Sequence, residues 1–379
     1  MNNSKFSKLF KFIGTTLAIA PFLLGCNSAG HNASEEELAS GTTFADMVAA
    51  GVPEVFATNE RPRIMVLRLI GGDDHTAQFF AGAQQEGQAF GFDVTTITAN
   101  GNAAQFHDAL SQALTEGFDG VILSHGDDEG TLNYVRQLTA AGIPVAAFDS
   151  HSDIAAIEGA TLTSQDDEAL ASQTLSALVA STGGEANIIY LWVDGFAPMV
   201  RRNNVYQEVL QENPGILEAA RFGVAAEDTS LQTQNAVAAM LLQHGIGELD
   251  AIFATWDAFA IGAARALTEA GRSEIEIFSI DVSNQVLQLM QEEGSPWAYA
   301  AAVDPRLVGA VNMRLIALKL AGYETPDVFD LEASLISREA LNASDAAVNM
   351  ANLSELIPGW GETDAFEKPW MEILREANR

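Results

Sequence analysis

The sequence predicts an α/β protein of two lobes, each a parallel β-sheet flanked by helices. Short apolar runs, which suit strands buried on both faces, alternate with longer stretches of helical periodicity. Glycines follow several of the predicted helices at the position where a left-handed residue ends a helix, among them Gly91, Gly142 and Gly271. This strand–helix rhythm runs through the chain in two consecutive series, which predicts two lobes.

Residues 1–25 have the pattern of an export signal. Lys5, Lys8 and Lys11 form a basic start, and the apolar stretch 12–24 is too short to span a membrane as a mature helix. The run that ends at Cys26, the single cysteine, resembles the lipobox of bacterial lipoproteins. That resemblance implies cleavage before Cys26 and acylation of its sulfur. The alternative interpretation is an ordinary signal peptide with an incidental cysteine.

Residues 26–60 are predicted to form a tether followed by an N-terminal helix. The stretch 27–41 is small, polar and acidic, a composition typical of flexible linkers. Weak helical periodicity over 44–56 predicts a short helix that packs on the protein body.

The first α/β series begins at Arg63. Each strand is a short apolar run and each helix carries apolar residues at helical spacing. The predicted strands are 64–70, 92–97, 119–123 and 143–148, and the predicted helices are 77–90, 103–116 and 131–141.

The second series follows the same pattern and contains a clear β-α-β unit over 251–281. The predicted strands are 186–193, 218–224, 251–254 and 275–280, and the predicted helices are 168–181, 199–213, 229–244 and 258–270. In open parallel sheets, ligands bind beyond the carboxyl ends of the strands. Polar residues at those ends are therefore the candidates for a site.

The residues just after the strands suit a ligand with many hydroxyl groups. Such a ligand needs hydrogen-bond acceptors, donors and an aromatic surface for its C–H faces. The expected acceptors are Asp149, Asp257 and Asp281, the expected donors are Arg202 and His125, and the expected aromatic platform is Trp256. The alternative for each aspartate taken alone is a helix N-cap, because each lies at a strand-to-helix turn.

These motifs resemble those of periplasmic sugar-binding proteins of the ribose-binding type. The resemblance covers about 61–339 and rests on the stretch from Thr255 to Ala263, on Ser279 to Asp281, and on Ile143-Pro144-Val145 before Asp149. It implies the type I periplasmic binding protein fold with the ligand in the hinge cleft. It also implies that the ligand contacts Arg202, whose planar fork can bridge two hydroxyls.

Further contacts follow from the resemblance by position. Asp74, His75 and Thr76 stand where the family has a polar and aromatic stretch that touches sugar hydroxyls, although the usual residues are absent. Asp304 falls in the region that supplies a final polar contact. The alternative for His75 is a solvated turn residue.

The family pattern also implies how the chain divides. Crossings between lobes are expected near 162–165, 303–305 and 329–333. The predicted first lobe is 61–163 with 304–332, and the predicted second lobe is 164–303 with 333–379. Trp360 and Trp370, near the chain end, are expected to pack on a lobe rather than to reach the ligand.

Composition and motifs exclude several classes of function. With 51 acidic and 19 basic residues and a formal net charge of −32, the chain lacks the basic surface that nucleic-acid binding requires. The strand ends carry no Gly-rich phosphate loop and no nucleophile elbow. His125 with Asp127 and Asp128 could suggest a metal, but a solvated turn explains consecutive loop residues better.

We therefore interpret the chain as a binding protein without enzymatic activity, cofactor or metal. It is expected to be monomeric, lipid-anchored outside the cytoplasm, and to deliver a monosaccharide or polyol to an ABC permease after hinge closure. The carboxylates also allow a ligand with a cationic group, such as an amino sugar. Two other roles stay open: presentation of the ligand to a chemoreceptor or kinase, and an α/β sugar hydrolase or isomerase.

Overall fold

The computed structural model describes residues 43–226, 228–344 and 346–379. The helices are α1 (Phe44–Ala49), α2 (Asp74–Ala89), α3 (Ala103–Thr115), α4 (Glu129–Ala140), α5 (Asp167–Thr182), α6 (Ala197–Glu212), α7 (Thr229–Leu241), α8 (Asp257–Ala270), α9 (Asn284–Gln291), α10 (Pro305–Leu320), α11 (Arg338–Asn342) and α12 (Pro369–Ala377). The strands are β1 (Arg63–Arg68), β2 (Asp93–Thr98), β3 (Gly120–Ser124), β4 (Val145–Phe148), β5 (Ala160–Gln165), β6 (Ala186–Leu191), β7 (Ile216–Phe222), β8 (Ala251–Ala254), β9 (Glu276–Ile280), β10 (Trp297–Ala302), β11 (Val328–Leu331) and β12 (Ser334–Ser337).

The first lobe is built on a six-stranded parallel sheet with the order β11-β5-β4-β3-β1-β2. Both faces of its central strands are buried, which explains their unbroken apolar runs. Successive residues of β1 point to opposite faces, so Ile64 and Val66 enter one apolar core while Met65 and Leu67 enter another. The predicted α/β fold class is confirmed.

The second lobe repeats this design with the order β12-β10-β9-β8-β6-β7. Its strands are parallel except β12, which pairs antiparallel with β10. The cores on its two faces divide by alternation as in the first lobe, with Ile252 on one side and Phe253 on the other. The chain passes between the lobes from β5 to α5, from β10 to α10 and from β11 to β12.

Two helices begin earlier than their apolar periodicity predicts, because aspartates cap them. The Oδ1 atom of Asp73 accepts a hydrogen bond from the Thr76 backbone at 2.6 Å, so α2 begins at Asp74. Asp128 caps α4 through the Thr131 backbone at 3.0 Å. Asp74, His75 and Thr76 therefore lie in the first turn of a helix and not in the predicted loop.

The end of the chain divides between the lobes, which corrects the assignment of all of 333–379 to the second lobe. Trp360 is buried in the core of the second lobe, whereas Trp370, Met371 and Leu374 are buried in the core of the first. Glu86 of α2 accepts from Arg375 of α12 at 2.6 Å, which ties the last helix to the first lobe. Both tryptophans pack on a lobe, as expected.

The N-terminal helix predicted over 44–56 is present in part as α1, and Met47, Val52 and Phe56 pack into the core of the first lobe. The predicted signal peptide, Cys26 and the predicted tether over 27–41 lie outside the described residues. No helix within 43–226, 228–344 and 346–379 combines the length and apolar character needed to cross a bilayer.

Candidate functional site

The candidate site lies at the carboxyl ends of the strands, and three of its residues have an unusual backbone. His125 after β3, Asp149 after β4 and Asp281 after β9 have φ angles of 62°, 46° and 72°. This left-handed region is uncommon for residues other than glycine and costs about 1 kcal/mol or more. Backbone strain of this kind clusters at functional sites, so its occurrence at three strand ends indicates a binding site there.

The capping alternative is wrong for the three expected acceptors. Asp149 precedes a short 3₁₀ turn that is capped by His151, and Ser283 caps α9. The residue at the N-cap position of α8 is Trp256, so Asp257 is already the first helical residue. Asp149, Asp257 and Asp281 are therefore available for other interactions.

Arg202 organises the second-lobe side of the site. Its side chain is 2% exposed, and its Nε atom donates to Asp167 Oδ1 at 2.7 Å. Nη1 donates to the Thr255 carbonyl at 2.6 Å and to Asp281 Oδ2 at 3.1 Å, and Nη2 donates to Asp281 Oδ1 at 3.4 Å. The expected fork is present, but it grips Asp281 and does not stand free for a ligand.

The neighbouring Arg201 reaches across the cleft. Its Nε and Nη2 atoms donate to Asp167 Oδ2 at 2.9 and 2.5 Å, and Nη2 also donates to Asp149 Oδ1 of the first lobe at 3.3 Å. The Arg201 side chain is 31% exposed, whereas that of Asp167 is fully buried. Arg201 is therefore the better placed of the two arginines to contact a ligand that bridges the lobes.

Burial dominates the electrostatics of the carboxylates. It raises the pKa of Asp149 well above its usual value, with Asp167 adding to the effect and Arg201 opposing it. Burial also raises the pKa of Asp257 to about 7, helped by the nearby Asp281. The pKa of Asp281 is raised by burial and lowered by Arg202.

The first-lobe side contains two histidines packed around one aromatic ring. The ring of His75 stacks on Phe148 at 6.3 Å, and that of His125 meets the same ring edge-on at 6.3 Å. Burial, followed by the charge of Arg68, holds the pKa of both histidines well below 6.5, so both are neutral at pH 7. The solvated-turn interpretation of His75 is wrong, because α2 carries the side chain inward.

Three predicted residues have partners that explain them without a ligand. Asp304 caps α10, with Oδ1 accepting from the Arg306 backbone at 2.9 Å. Thr76 is buried, and its hydroxyl lies 3.5 Å from the Ile70 carbonyl. Asp74 Oδ2 accepts from the backbone and side chain of Asn284 on the second lobe at 2.9 and 3.0 Å.

Trp256 and Asp257 stand side by side at the start of α8. The indole of Trp256 is half-buried and packs edge-on against Phe259 with ring centres 5.6 Å apart. Asp257 shares a side-chain hydrogen bond with Ser283. An aromatic surface and a carboxylate therefore lie together on the second-lobe side of the cleft.

The site also contains charged residues that sequence reasoning missed. Arg68 ends β1 and is 3% exposed, and Asp167 begins α5 and is 1% exposed. A lone arginine at the end of an apolar strand was a signal for the first. The acidic pair beside Gln165, at a predicted crossing, was a signal for the second.

No group of three or more His, Cys, Asp or Glu side chains among the described residues is arranged to hold a metal ion. Asp128, one of the loop residues weighed for such a role, caps α4 and contacts His107 at 2.9 Å.

Known proteins resemble the chain over most of its length. A family described as a periplasmic binding protein domain matches residues 64–324. The crystal structure of a sugar ABC transporter protein from Yersinia enterocolitica is 44% identical, with a TM-score of 0.81, over 86% of this chain and 98% of that one.

Two further relatives are more distant. The solute-binding protein of a 5-methylthioribose transporter from Thermotoga lettingae, solved with 5-methylthioribose, is 30% identical with a TM-score of 0.77, over 83% of this chain and 98% of that one. A ribose import binding protein of Escherichia coli is 23% identical over a stretch that covers 65% of this chain and 77% of the length of that protein.

Proposed function

The chain belongs to the periplasmic binding protein family, and we propose on that premise that it captures a small polyhydroxylated ligand outside the cytoplasm and delivers it to an ABC permease. The ligand is a monosaccharide, a polyol or a close derivative. It binds between the lobes, favours the closed arrangement and leaves without being chemically changed.

The contact between Arg201 and Asp149 is the observation that carries this proposal. It joins a donor on the second lobe to an acceptor on the first at 3.3 Å, inside a cleft where Asp149 is 3% exposed. A hydroxyl group can accept from a guanidinium and donate to a carboxylate at once. A ligand with several hydroxyls can therefore enter between these partners and hold both lobes.

The other predicted residues support the same ligand class. Asp257 and Asp281 supply acceptors, His125 supplies a neutral ring nitrogen, and Trp256 supplies an aromatic surface. We assign Arg201 to ligand contact and Arg202 to holding Asp281 in place. Asp74, Thr76 and Asp304 act through the lobe contact and the helix caps described above.

The lobes are proposed to be 61–163 with 304–332, and 164–303 with the chain as far as Trp360. The remaining C-terminal residues join the first lobe. We further propose that the mature protein is a monomer anchored by a lipid on Cys26. The substitution Cys26→Ser is expected to release it from the membrane fraction, and continued sedimentation with membranes would contradict the anchor.

A thermal-shift screen tests the ligand class. The protein is heated with monosaccharides, 5-methylthioribose, polyols, amino sugars and amino acids while its tryptophan fluorescence is followed. A compound that binds only the folded state at about 100 times its Kd stabilises the protein by about 2.7 kcal/mol, which raises Tm by several degrees. A shift by a neutral sugar or polyol is expected.

Other results would change the proposal. A shift confined to amino sugars or amino acids would replace the neutral ligand with a cationic one that pairs with the carboxylates. Chemical change of a bound sugar during incubation would contradict binding without turnover, and we expect the sugar to be recovered intact.

A further inference from the structure

Arg68 is a buried cation that takes no part in the hydrogen bonds of Arg201 and Arg202 on the second lobe. Its side chain lies at the carboxyl end of β1 and is 3% exposed. Within the described part of the chain, no carboxylate lies within ion-pair distance of it, and its Nε atom has no hydrogen-bond partner. Buried charges and buried N–H groups are normally paired, because leaving one unpaired destabilises the folded protein.

The contacts that Arg68 does make orient its neighbour. The guanidinium lies 5.0 Å from the ring centre of Phe79, and Nη1 lies 3.0 Å from Nδ1 of His75. A guanidinium can only donate, so Nδ1 of His75 must accept. A neutral His75 then carries its proton on Nε2. Arg68 and His75 therefore present hydrogen-bond donors at the end of β1.

Electrostatics favour some ligand groups over others as partners for these donors. Burial lowers the pKa of Arg68 to about 10, while Asp73 and Asp149 act to raise it. A ligand carboxylate would enter a cleft that already holds Asp149, Asp257 and Asp281. A hydroxyl group avoids repulsion by these carboxylates, because its oxygen can accept from Arg68 while its O–H donates to Asp149. A ring oxygen of a sugar, which can only accept, avoids it as well.

We propose that Arg68 and His75 form a donor pair on the first lobe that binds an oxygen of a neutral sugar or polyol. This inference rests on the proposed function and extends it by naming the first-lobe residues that select the ligand. It also explains why an arginine is kept at the end of an otherwise apolar strand, where it brings no ion pair to the fold.

The first test measures the full-length protein without ligand. Arg68→Met keeps the length of the side chain and removes the charge that lacks a carboxylate partner. Its Tm is expected to equal or exceed that of wild type, because replacing a poorly compensated buried charge by an apolar group is often stabilising. The control is Arg136→Met, at an exposed arginine of α4. A larger fall in Tm for Arg68→Met than for the control would make Arg68 structural and overturn the proposal.

The second test measures affinity by calorimetry with D-ribose, ribitol and D-ribonate, and with the matching alditol and aldonate of any other sugar that shifts Tm in the screen. Arg68→Gln is expected to weaken binding of the neutral sugar about tenfold or more, because a charged donor is lost. Arg136→Gln should bind as wild type does. The aldonate should bind wild type more weakly than its parent sugar.

Each remaining outcome decides a separate point. Wild-type affinity in Arg68→Gln would overturn the role of Arg68, and tighter binding of an aldonate than of its parent sugar would overturn the neutral ligand. Failure of every neutral sugar and polyol to bind wild type would refute the proposed function for that ligand class. The role of Arg68 would then be judged from the Tm values of Arg68→Met and Arg136→Met.

Discussion

The two walls of the cleft differ in how far their polar groups are already paired. We call Arg201, Arg202, Asp257 and Asp281 the second-lobe wall, and Arg68, His75, His125 and Asp149 the first-lobe wall. In the second-lobe wall both arginines are held by Asp167, and Arg202 also grips Asp281. In the first-lobe wall Arg68 has a neutral histidine in place of a carboxylate.

This difference indicates that the walls have different roles in binding. Because its two arginines are paired with the buried Asp167 and one of them also with Asp281, the second-lobe wall keeps its shape without a ligand. Among the described residues, the first-lobe wall keeps one buried donor without a partner, Arg68 Nε, and a carboxylate, Asp149, whose arginine partner comes from the other lobe. We infer that the first-lobe wall forms more new hydrogen bonds than the second-lobe wall when a ligand binds.

The largest effect is expected from Arg202→Met, which removes the centre of the second-lobe wall. It leaves the buried Asp167 and Asp281 with fewer partners, and breaking a buried ion pair from one side costs about 3–5 kcal/mol. Urea unfolding is expected to show a loss of that size. A loss no larger than that of Arg136→Met would mean that Arg202 is not the organiser of this wall.

The next effect concerns Arg201→Met, the matched substitution one residue earlier. Arg202 still holds Asp167 in this variant, and the Arg201 side chain is 31% exposed, so stability should fall less than in Arg202→Met, although the buried Asp149 loses its arginine partner. Affinity for the neutral sugar found in the screen should fall about tenfold or more, because the contact with Asp149 across the lobes is lost. Equal stability losses in the two variants would remove the distinction between these arginines.

A smaller effect is expected from pH, and the comparison of wild type with Asp257→Asn assigns one part of it to the second-lobe wall. The pKa of Asp257 is about 7 in the folded protein, whereas its ordinary value is 3.8. The folded state therefore holds the proton more tightly than the unfolded state does. Folding stability from this residue is therefore present at low pH and is lost as pH rises from about 4 to about 7. The Tm of Asp257→Asn should fall less steeply over this range than that of wild type. Parallel curves would exclude Asp257 as the source.

The smallest effect is expected from Asp74→Ala, which removes a contact between the lobes outside both walls. Asp74 accepts two hydrogen bonds from Asn284, and their loss should favour the open arrangement by about 0.5–1.5 kcal/mol. Small-angle scattering without ligand should show a larger radius of gyration than for the control Asp93→Ala, at an exposed site on β2. An unchanged radius would show that this contact does not limit opening.

Much of the fold could be predicted because its signals are local. Apolar periodicity located strands such as β3 and β8 and the helices between them. The starts of α2, α4 and α6 were placed two or three residues late, and β5, β10 and α10 were not predicted. The position of α12 could not be predicted, because its apolar residues fit either lobe. In the structure, Trp370 packs beside Phe56 and Arg375 pairs with Glu86, so α12 lies on the first lobe.

The sequence by itself determined that Asp257 and Asp281 lie at one edge of the second-lobe sheet and Asp149 at the corresponding edge of the first, because the carboxyl ends of parallel strands meet at one edge of each sheet. Only the tertiary structure decided how the arginines are used. Asp167 and Asp281 are 35 and 79 residues from Arg202 along the chain, and their distance from it depends on how α5 crosses between the lobes. Hydrogen-bonded atoms typically lie about 3 Å apart, and no pattern of neighbouring residues specifies such a distance between remote segments.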